Sequence, residues 1–250
     1  LIMEETIGWL VREMASDEGG FFSAIDADSG GEEGIFYCWN QEQIVEALGE
    51  ELGSEVCETY LITEKGTFEE GLSNPALSTS DLNRRQSLYD ARMQLLAKRE
   101  TREKPGIDRK RLTAWNALLM RGIAEAGFSL GRSDWVGLAE ATGEWLWAEM
   151  IETAGDIFPV AYPEGPVGVG TLNDYAFTAE AFLALASRVE LFAQGSAERW
   201  VNRAKVIVDR AIEKFLDSEK PGFFLTARDQ DDLIVRKKDW HDNAIPSANA

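Results

Sequence analysis

The stretch Gly19-Gly20-Phe21-Phe22-Ser23-Ala24-Ile25-Asp26-Ala27-Asp28-Ser29 is followed by Gly30-Gly31-Glu32-Glu33-Gly34 and the apolar run Ile35-Phe36-Tyr37-Cys38-Trp39. Glycine reaches turn conformations with positive φ and aromatic residues suit a pleated surface, so we expect two extended runs to form a short hairpin. A similar pattern recurs in Gly222-Phe223-Phe224-Leu225-Thr226-Ala227-Arg228-Asp229-Gln230-Asp231, followed by Leu233-Ile234-Val235. The sequence therefore predicts acidic hairpins presented by a helical scaffold.

Composition limits the kinds of partner that this chain can bind. Its 250 residues are 44% hydrophobic and carry a formal net charge of −19. Binding to nucleic acid needs basic stripes, so we expect no nucleic-acid partner. No apolar run approaches the roughly 20 residues of a membrane span, so we expect no membrane partner and a soluble, cytoplasmic protein.

The potential metal ligands do not form a recognisable metal motif. Cys38 and Cys57 lie in unlike contexts without a CxxC pair, which indicates neither a zinc site nor a redox pair. Asp26, Asp28 and Gly30 begin the spacing of a calcium loop, but its twelfth position is Tyr37 instead of glutamate. The sequence therefore predicts no metal and no cofactor.

Helix signals dominate the rest of the chain. Asn40 is a predicted N-cap for a short helix from Gln41 to Leu48, and a second helix is expected over 51–60. A long polar helix is predicted over 81–101, and Ser196 is a predicted cap near the C-terminal third. The segment 155–170, which contains three prolines, is expected to be the longest loop without regular structure.

Helices rich in small residues recur along the chain. They begin near Thr113, Asn173 and Ala244, about 60 to 70 residues apart, and the first two are followed by amphipathic partners. Helices packed on both sides and repeated with such a period are typical of a solenoid or of a closed ring of hairpins. A ring would surround a central cavity with the loops at one end of its inner helices.

Five sequence blocks resemble a known family. They are Gly-Gly-Phe-Phe-Ser-Ala-Ile-Asp-Ala-Asp-Ser at 19–29, Gly-Ile-Phe-Tyr-Cys-Trp at 34–39, Asp-Arg-Lys-Arg-Leu-Thr-Ala-Trp-Asn-Ala-Leu at 108–118, Asn-Asp-Tyr-Ala at 173–176 and Pro-Ser-Ala-Asn at 246–249. In order and content they resemble the YyaL-like family, which includes spermatogenesis-associated protein 20. Asn243 and Ala248 stand where the family pattern leads us to expect glycine.

The resemblance implies an all-α (α/α)6-type barrel of helical hairpins, similar to N-acylglucosamine 2-epimerases and six-hairpin glycosidases. It implies one partial barrel domain over residues 1–250, with about four of six hairpins and short β-hairpins in the loops. The thioredoxin-like domain that precedes the barrel in the family is expected to be absent from this chain. That domain is a predicted partner in the full-length parent.

Acidic residues near the predicted cavity are candidates for acid–base chemistry. Asp26 and Asp28, two residues apart, would point to the same side of a strand. Asp108 precedes the first inner helix, where Trp115 could stack on a sugar face while Asn116 binds its hydroxyls. Alternatively, the aspartates cap local backbone amides, Trp115 belongs to the core, and Asn116 bridges two helices.

Further candidates lie at equivalent positions later in the chain. Asp174 and Tyr175 open the second inner helix, although an aspartate at a helix start is also typical of capping. His241, the only histidine, has Asp242 as a neighbour and is a candidate proton shuttle. Phe22 and Asn249, in the first and last family blocks, complete the predicted substrate-binding residues.

The sequence leads to two functional hypotheses from different classes. The first is an enzyme that acts on a sugar or polyol in an acidic cavity, by isomerisation, epimerisation or hydrolysis. The second is a non-catalytic barrel that recognises a ligand or partner for an attached thioredoxin-like domain. Carboxylates that face each other across a cavity would favour hydrolysis, whereas carboxylates bound to backbone amides would favour the second function.

Overall fold

A computed structural model describes residues 2–80, 82–192, 197–230 and 233–249. The predicted cap Ser196 and the second aspartate of the C-terminal repeat, Asp231, lie outside the described residues. The chain divides into two compact units: residues 1–24 with 109–250 form unit 1, and residues 25–108 form unit 2. A single domain over 1–250 stays a prediction.

Helices form most of the regular structure. In chain order they are α1 (Ile2–Trp9), which continues into a π-helical turn (Leu10–Met14), α2 (Gln41–Leu48), α3 (Glu50–Thr59), α4 (Leu82–Ser87), α5 (Tyr89–Arg99), α6 (Thr113–Leu130), α7 (Ser133–Glu149), α8 (Leu172–Phe192) and α9 (Ala197–Phe215). The strands are β1 (Ala24–Ile25), β2 (Asp28–Ser29), β3 (Glu32–Glu33), β4 (Ile107–Asp108), β5 (Arg111–Leu112), β6 (Val160–Tyr162) and β7 (Gly165–Val167).

Unit 1 is built on two helical hairpins. Helix α6 ends at Gly131, whose left-handed φ of 66° turns the chain into α7. Helix α8 packs between α6 and α9, and small residues such as Ala117, Ala124 and Ala181 are fully buried in these contacts. The predicted all-α class, with helical hairpins and short β-hairpins in the loops, is confirmed.

The same turn follows three helical segments of unit 1. After the π-helical turn, α7 and α9, the chain folds back in an isolated antiparallel bridge: Ala15 with Phe21, Ile151 with Ile157, and Leu216 with Phe223. In each copy the next residue donates its N–H to the carbonyl at the helix end: Phe22 to Met14, Phe158 to Met150 and Phe224 to Phe215, at 2.8 to 3.0 Å. The predicted repeat is therefore a repeat of helix-ending turns.

Two asparagines clamp the first and third turns in the same way. The Oδ1 of Asn116 accepts the Phe21 N–H at 2.7 Å, and its Nδ2 donates to the Phe21 carbonyl at 3.0 Å. Asn249 makes the same pair of bonds to Phe223, also at 2.7 and 3.0 Å. Each amide thus satisfies both backbone groups that the bridge leaves open.

A glycine before each clamped phenylalanine lets a tryptophan lie against the backbone. Gly20 has a φ of 71° and Gly222 a φ of 92°. A Cβ at Gly20 would approach the ring of Trp145 to 2.6 Å, and one at Gly222 would approach the ring of Trp240 to 2.2 Å. Both sites therefore require glycine for conformation and for space.

Unit 2 holds two helix pairs with a core of their own. Asn40 caps α2, as the sequence predicts, and the structure adds a capping box with Gln43. The core contains Trp39, Ile44, Val56, Tyr60 and Ile62, with helix α5 packed against it through Ala91 and Leu95. In addition, the Arg102 guanidinium donates to the carbonyls of Ile35, Phe36 and Cys38 at 2.7 to 3.1 Å and fixes that apolar run.

Four predictions about local structure are wrong. The third inner helix predicted near Ala244 does not form over residues 244–249, where bends and turns bring Asn249 to the backbone of Phe223. The run 35–39 forms turns that bury Phe36, Cys38 and Trp39, so the acidic hairpin is only Asp28–Ser29 with Glu32–Glu33. The segment 155–170 contains the hairpin β6–β7, whose strand β6 pairs with β5. The polar helix over 81–101 breaks at Leu88, which is buried, into α4 and α5.

We expect Asn116→Ala to destabilise unit 1 by roughly 3 kcal/mol, because it leaves the buried N–H and carbonyl of Phe21 without partners. Chemical denaturation of the purified protein measures this change. Asn202→Ala, at an exposed position on α9, is the matched control and should change the free energy of unfolding by less than about 0.5 kcal/mol. Equal stabilities of the two variants would contradict the clamp.

Candidate functional site

The predicted acidic residues of unit 2 are exposed. Asp26, Asp28 and Asp108 all lie at the surface of that unit. The Asp28 N–H donates to Asp26 Oδ1 at 3.2 Å, and the Asp26 N–H donates to the Gly106 carbonyl at 2.7 Å. The Asp26 carboxylate therefore accepts a local backbone amide, as the capping alternative predicts.

The two asparagines predicted to bind substrate are engaged by the protein itself. Asn116 is 3% exposed, and besides the Phe21 clamp its Nδ2 donates to the Leu112 carbonyl at 3.0 Å. The Nδ2 of Asn249 also donates to the Asp239 carbonyl, at 3.1 Å. Both amides therefore hold backbone segments together.

Asp174 lies at the start of α8 and is 4% exposed. Its Oδ2 accepts the N–H of Thr171 at 2.8 Å and the hydroxyl of Thr171 at 3.0 Å. Burial raises the pKa of Asp174 above its ordinary value, although hydrogen bonds from Thr171 and from the Ala114 backbone oppose the rise. Because Ala114 belongs to the first turn of α6, this carboxyl connects the first turns of both inner helices.

Tyr175 is a core residue. It is 1% exposed, and its ring meets that of Phe215 edge-on at 5.0 Å between centroids. The hydroxyl accepts the Ile157 N–H at 3.2 Å, and burial raises the pKa of Tyr175 to about 12. The ring is therefore not accessible as the predicted sugar platform.

The remaining candidates are His241 and Asp242 near the C-terminus and Phe22 near the N-terminus. His241 and Asp242 are both exposed, and Asp242 Oδ1 accepts the Ser247 N–H at 2.9 Å. Phe22 is half-buried, with the Arg109 guanidinium 5.8 Å from its ring centroid. The carboxylate of Asp242 thus caps a turn, while a role for His241 in proton transfer stays a prediction.

A charged cluster beside the second helix-ending turn was not predicted. Asp156 binds Arg210 through two hydrogen bonds of 2.6 and 3.2 Å and binds Lys214 Nζ at 2.5 Å. Burial alone would raise the pKa of Asp156, but the hydrogen bonds and charges of Arg210 and Lys214 lower it below its ordinary value. Only the spacing of Arg210 and Lys214, one turn apart on α9, could have indicated this cluster.

The accessible functional chemistry of unit 1 lies on the exposed faces of α6 and α8. Trp115, the third residue of α6, is 49% exposed, in contrast to its buried neighbour Asn116. An ion pair of 2.5 Å between Arg121 and Glu180 joins the two helices. Leu183, 48% exposed, follows Glu180 on α8. An aromatic ring, charged hydrogen-bonding groups and an aliphatic side chain are thus accessible on adjacent helices.

The described residues contain no group of three or more histidine, cysteine, aspartate or glutamate side chains arranged to hold a metal ion. Within the same residues, no helix has the length and apolar character needed to span a membrane. Cys38 and Cys57 are free and buried, and burial raises the pKa of both thiols.

We expect Asp174→Asn to gain stability relative to the native protein as pH rises. A carboxyl whose pKa is higher in the folded than in the unfolded state lowers the free energy of unfolding as pH rises above its unfolded pKa, near 4. Asparagine does not titrate, so the variant does not undergo this loss. Denaturation at pH 4, 5, 6 and 7 measures the difference. We expect about 1.4 kcal/mol for each unit by which folding raises the pKa. A difference that is independent of pH would contradict a raised pKa.

Comparison with known proteins confirms the resemblance that the five sequence blocks indicate. No protein-family model matches the chain. Human spermatogenesis-associated protein 20 is 27% identical over 97% of this chain and 36% of its own length. The rat protein is 28% identical over the same shares. This chain therefore spans little more than a third of the length of these relatives.

Solved structures of lower similarity also match. A sugar epimerase from a ruminal bacterium has 13% identity and a TM-score of 0.44, over 90% of this chain and 57% of that one. Cellobiose 2-epimerase from Spirochaeta thermophila has 14% identity and a TM-score of 0.38, over 88% and 56% of the two chains. The sequence comparison, rather than these structures, carries the conclusion: across nearly its whole length, the chain is similar in sequence to part of spermatogenesis-associated protein 20.

Proposed function

We propose that unit 1 binds a sugar or polyol on the exposed faces of α6 and α8, with Trp115 as the stacking platform. The observation that carries this proposal is the exposure of the indole, 49%, at the N-terminal end of an inner helix. A tryptophan ring presents an apolar face that suits the C–H face of a sugar ring.

Polar groups further along the same two helices support a hydroxylated ligand. Glu180 is half exposed and keeps acceptor capacity beyond its bond to Arg121 Nη1. Arg121 is also held by Glu125, at 3.0 Å, so its guanidinium is fixed in position. Fixed donors and acceptors combined with aromatic side chains are typical of sites that orient a small polar ligand.

Binding without acid–base catalysis is the form of this proposal that the geometry favours. Asp26, Asp174 and Asp242 all accept backbone N–H groups, so their carboxylates have structural partners. A general acid or base must instead reach the proton of a substrate. We therefore infer recognition, in line with the second function that the sequence indicates.

Sugar isomerisation or epimerisation is the second candidate. The raised pKa of Asp174 is the observation in its favour, because burial shifts this carboxyl toward the protonated form that a general acid needs. Proton NMR of a sugar incubated with the protein in D2O would detect exchange at the carbon next to the carbonyl. Exchange that Asp174→Asn abolishes would support catalysis over simple recognition.

A thermal-shift screen against glucose, mannose, N-acetylglucosamine and sorbitol tests the binding proposal. A ligand at a hundredfold excess over its Kd stabilises the native state by about 2.7 kcal/mol, which raises the Tm. We expect Trp115→Ala to remove this shift, because the stacking surface is lost.

Trp240→Ala is the matched control, since Trp240 is equally exposed, at 53%, and lies outside α6 and α8. It should retain the shift of the native protein. If none of the four compounds raises the Tm, or if both variants lose the shift equally, the Trp115 platform is rejected.

A further inference from the structure

A cavity of about 300 Å³ that opens to the surface lies in unit 2, whereas the face proposed to bind sugar belongs to unit 1. Its walls include Trp39, Tyr60 and Ile62, which are at most 8% exposed. The volume is at the lower end of the range for small-molecule sites, and apolar and aromatic walls with a few polar groups are typical of such sites. The cavity is therefore large enough for a compact organic molecule.

One face of helix α5 forms part of the wall. Arg92, Leu95, Leu96 and Arg99 line the cavity, and their spacing of three, one and three residues places them on the same side of the helix. The two leucines lie between the two arginines. The wall thus offers an aliphatic centre with a cationic group toward each end.

The cavity lining includes buried polar atoms that have no hydrogen-bond partner among the described residues. The Tyr60 hydroxyl and the Arg99 Nε are both buried and unpaired there. Arg99 uses Nη2 to bind Glu100 at 3.0 Å, and its guanidinium stacks over the Tyr37 ring at 5.3 Å. Buried donors are disfavoured unless something accepts from them, so an acceptor is the group that this cavity lacks.

The geometry points to a binding site for a small carboxylic acid with an apolar or aromatic body. The carboxylate would accept from the Tyr60 hydroxyl and the Arg99 Nε–H, and the body would pack against Trp39, Ile62 and Leu95. A charged acceptor is favoured over a neutral one because a charge-assisted hydrogen bond to a guanidinium is about twice as strong. No residue of the cavity lining is acidic, so nothing in the lining opposes an anion.

Isothermal titration of the full chain with phenylacetate, and with phenylacetamide as the neutral probe of the same shape, tests this site. We expect phenylacetate to bind at least tenfold more tightly than phenylacetamide, which corresponds to 1.4 kcal/mol. We expect Tyr60→Phe to weaken phenylacetate roughly tenfold to a hundredfold, because one hydrogen bond to a charged group is lost. Arg99→Gln should weaken it at least as much.

The control variant is Tyr162→Phe, which removes an exposed tyrosine hydroxyl from unit 1 and should leave binding unchanged. The Tm without ligand separates a binding role from a structural one. Tyr60→Phe should keep or raise the Tm, since its hydroxyl has no protein partner to lose. The site is refuted if phenylacetate does not bind, if the amide binds equally well, or if Tyr60→Phe binds phenylacetate as the native protein does.

Discussion

The structure of unit 1 depends on satisfying the backbone where each helix turns back toward the next one. A chain that folds back in a single bridge leaves one N–H and one carbonyl of the bridged residue without sheet partners. A primary amide carries one donor and one acceptor at the matching spacing, so one asparagine closes the turn. Asn116 does this at Phe21 and Asn249 does it at Phe223. Both clamps join parts of the chain that are distant in sequence.

At the middle turn, different groups bind the N–H and the carbonyl of the bridged residue. The Ile157 N–H donates to the Tyr175 hydroxyl, and the Ile157 carbonyl accepts the Gly170 N–H at 2.9 Å. Asp156 takes the position that Gly20 and Gly222 occupy in the other copies, and instead of a tryptophan it contacts Arg210 and Lys214. The repeat therefore conserves hydrogen-bond satisfaction of the backbone, while the side chains that provide it differ.

Sequence patterns predict the structure correctly where it depends on residues that are close together in the chain. The N-cap at Asn40 and the ends of α2 depend on residues a few positions apart, and both are predicted. The role of Asn116 is not, because its partner Phe21 lies 95 positions away. An inner helix that is apolar on most sides also does not reveal which residue faces out. Trp115 and Asn116 differ by only one position, yet the rotation of about 100° exposes the first and buries the second.

Net charge describes the surface of this protein and says little about its interior. Although the chain carries −19 overall, cationic side chains hold several internal polar positions. Arg102 binds three carbonyls, Arg111 binds the Gly19 carbonyl and Glu18, and Arg236 binds the carbonyls of Thr226 and Lys214. Guanidinium groups suit this work because they donate several hydrogen bonds in a fixed plane and stay charged when buried. The acidic composition therefore gives no reason to expect acidic cavities, and a cavity lined by arginines in unit 2 is compatible with a strongly acidic chain.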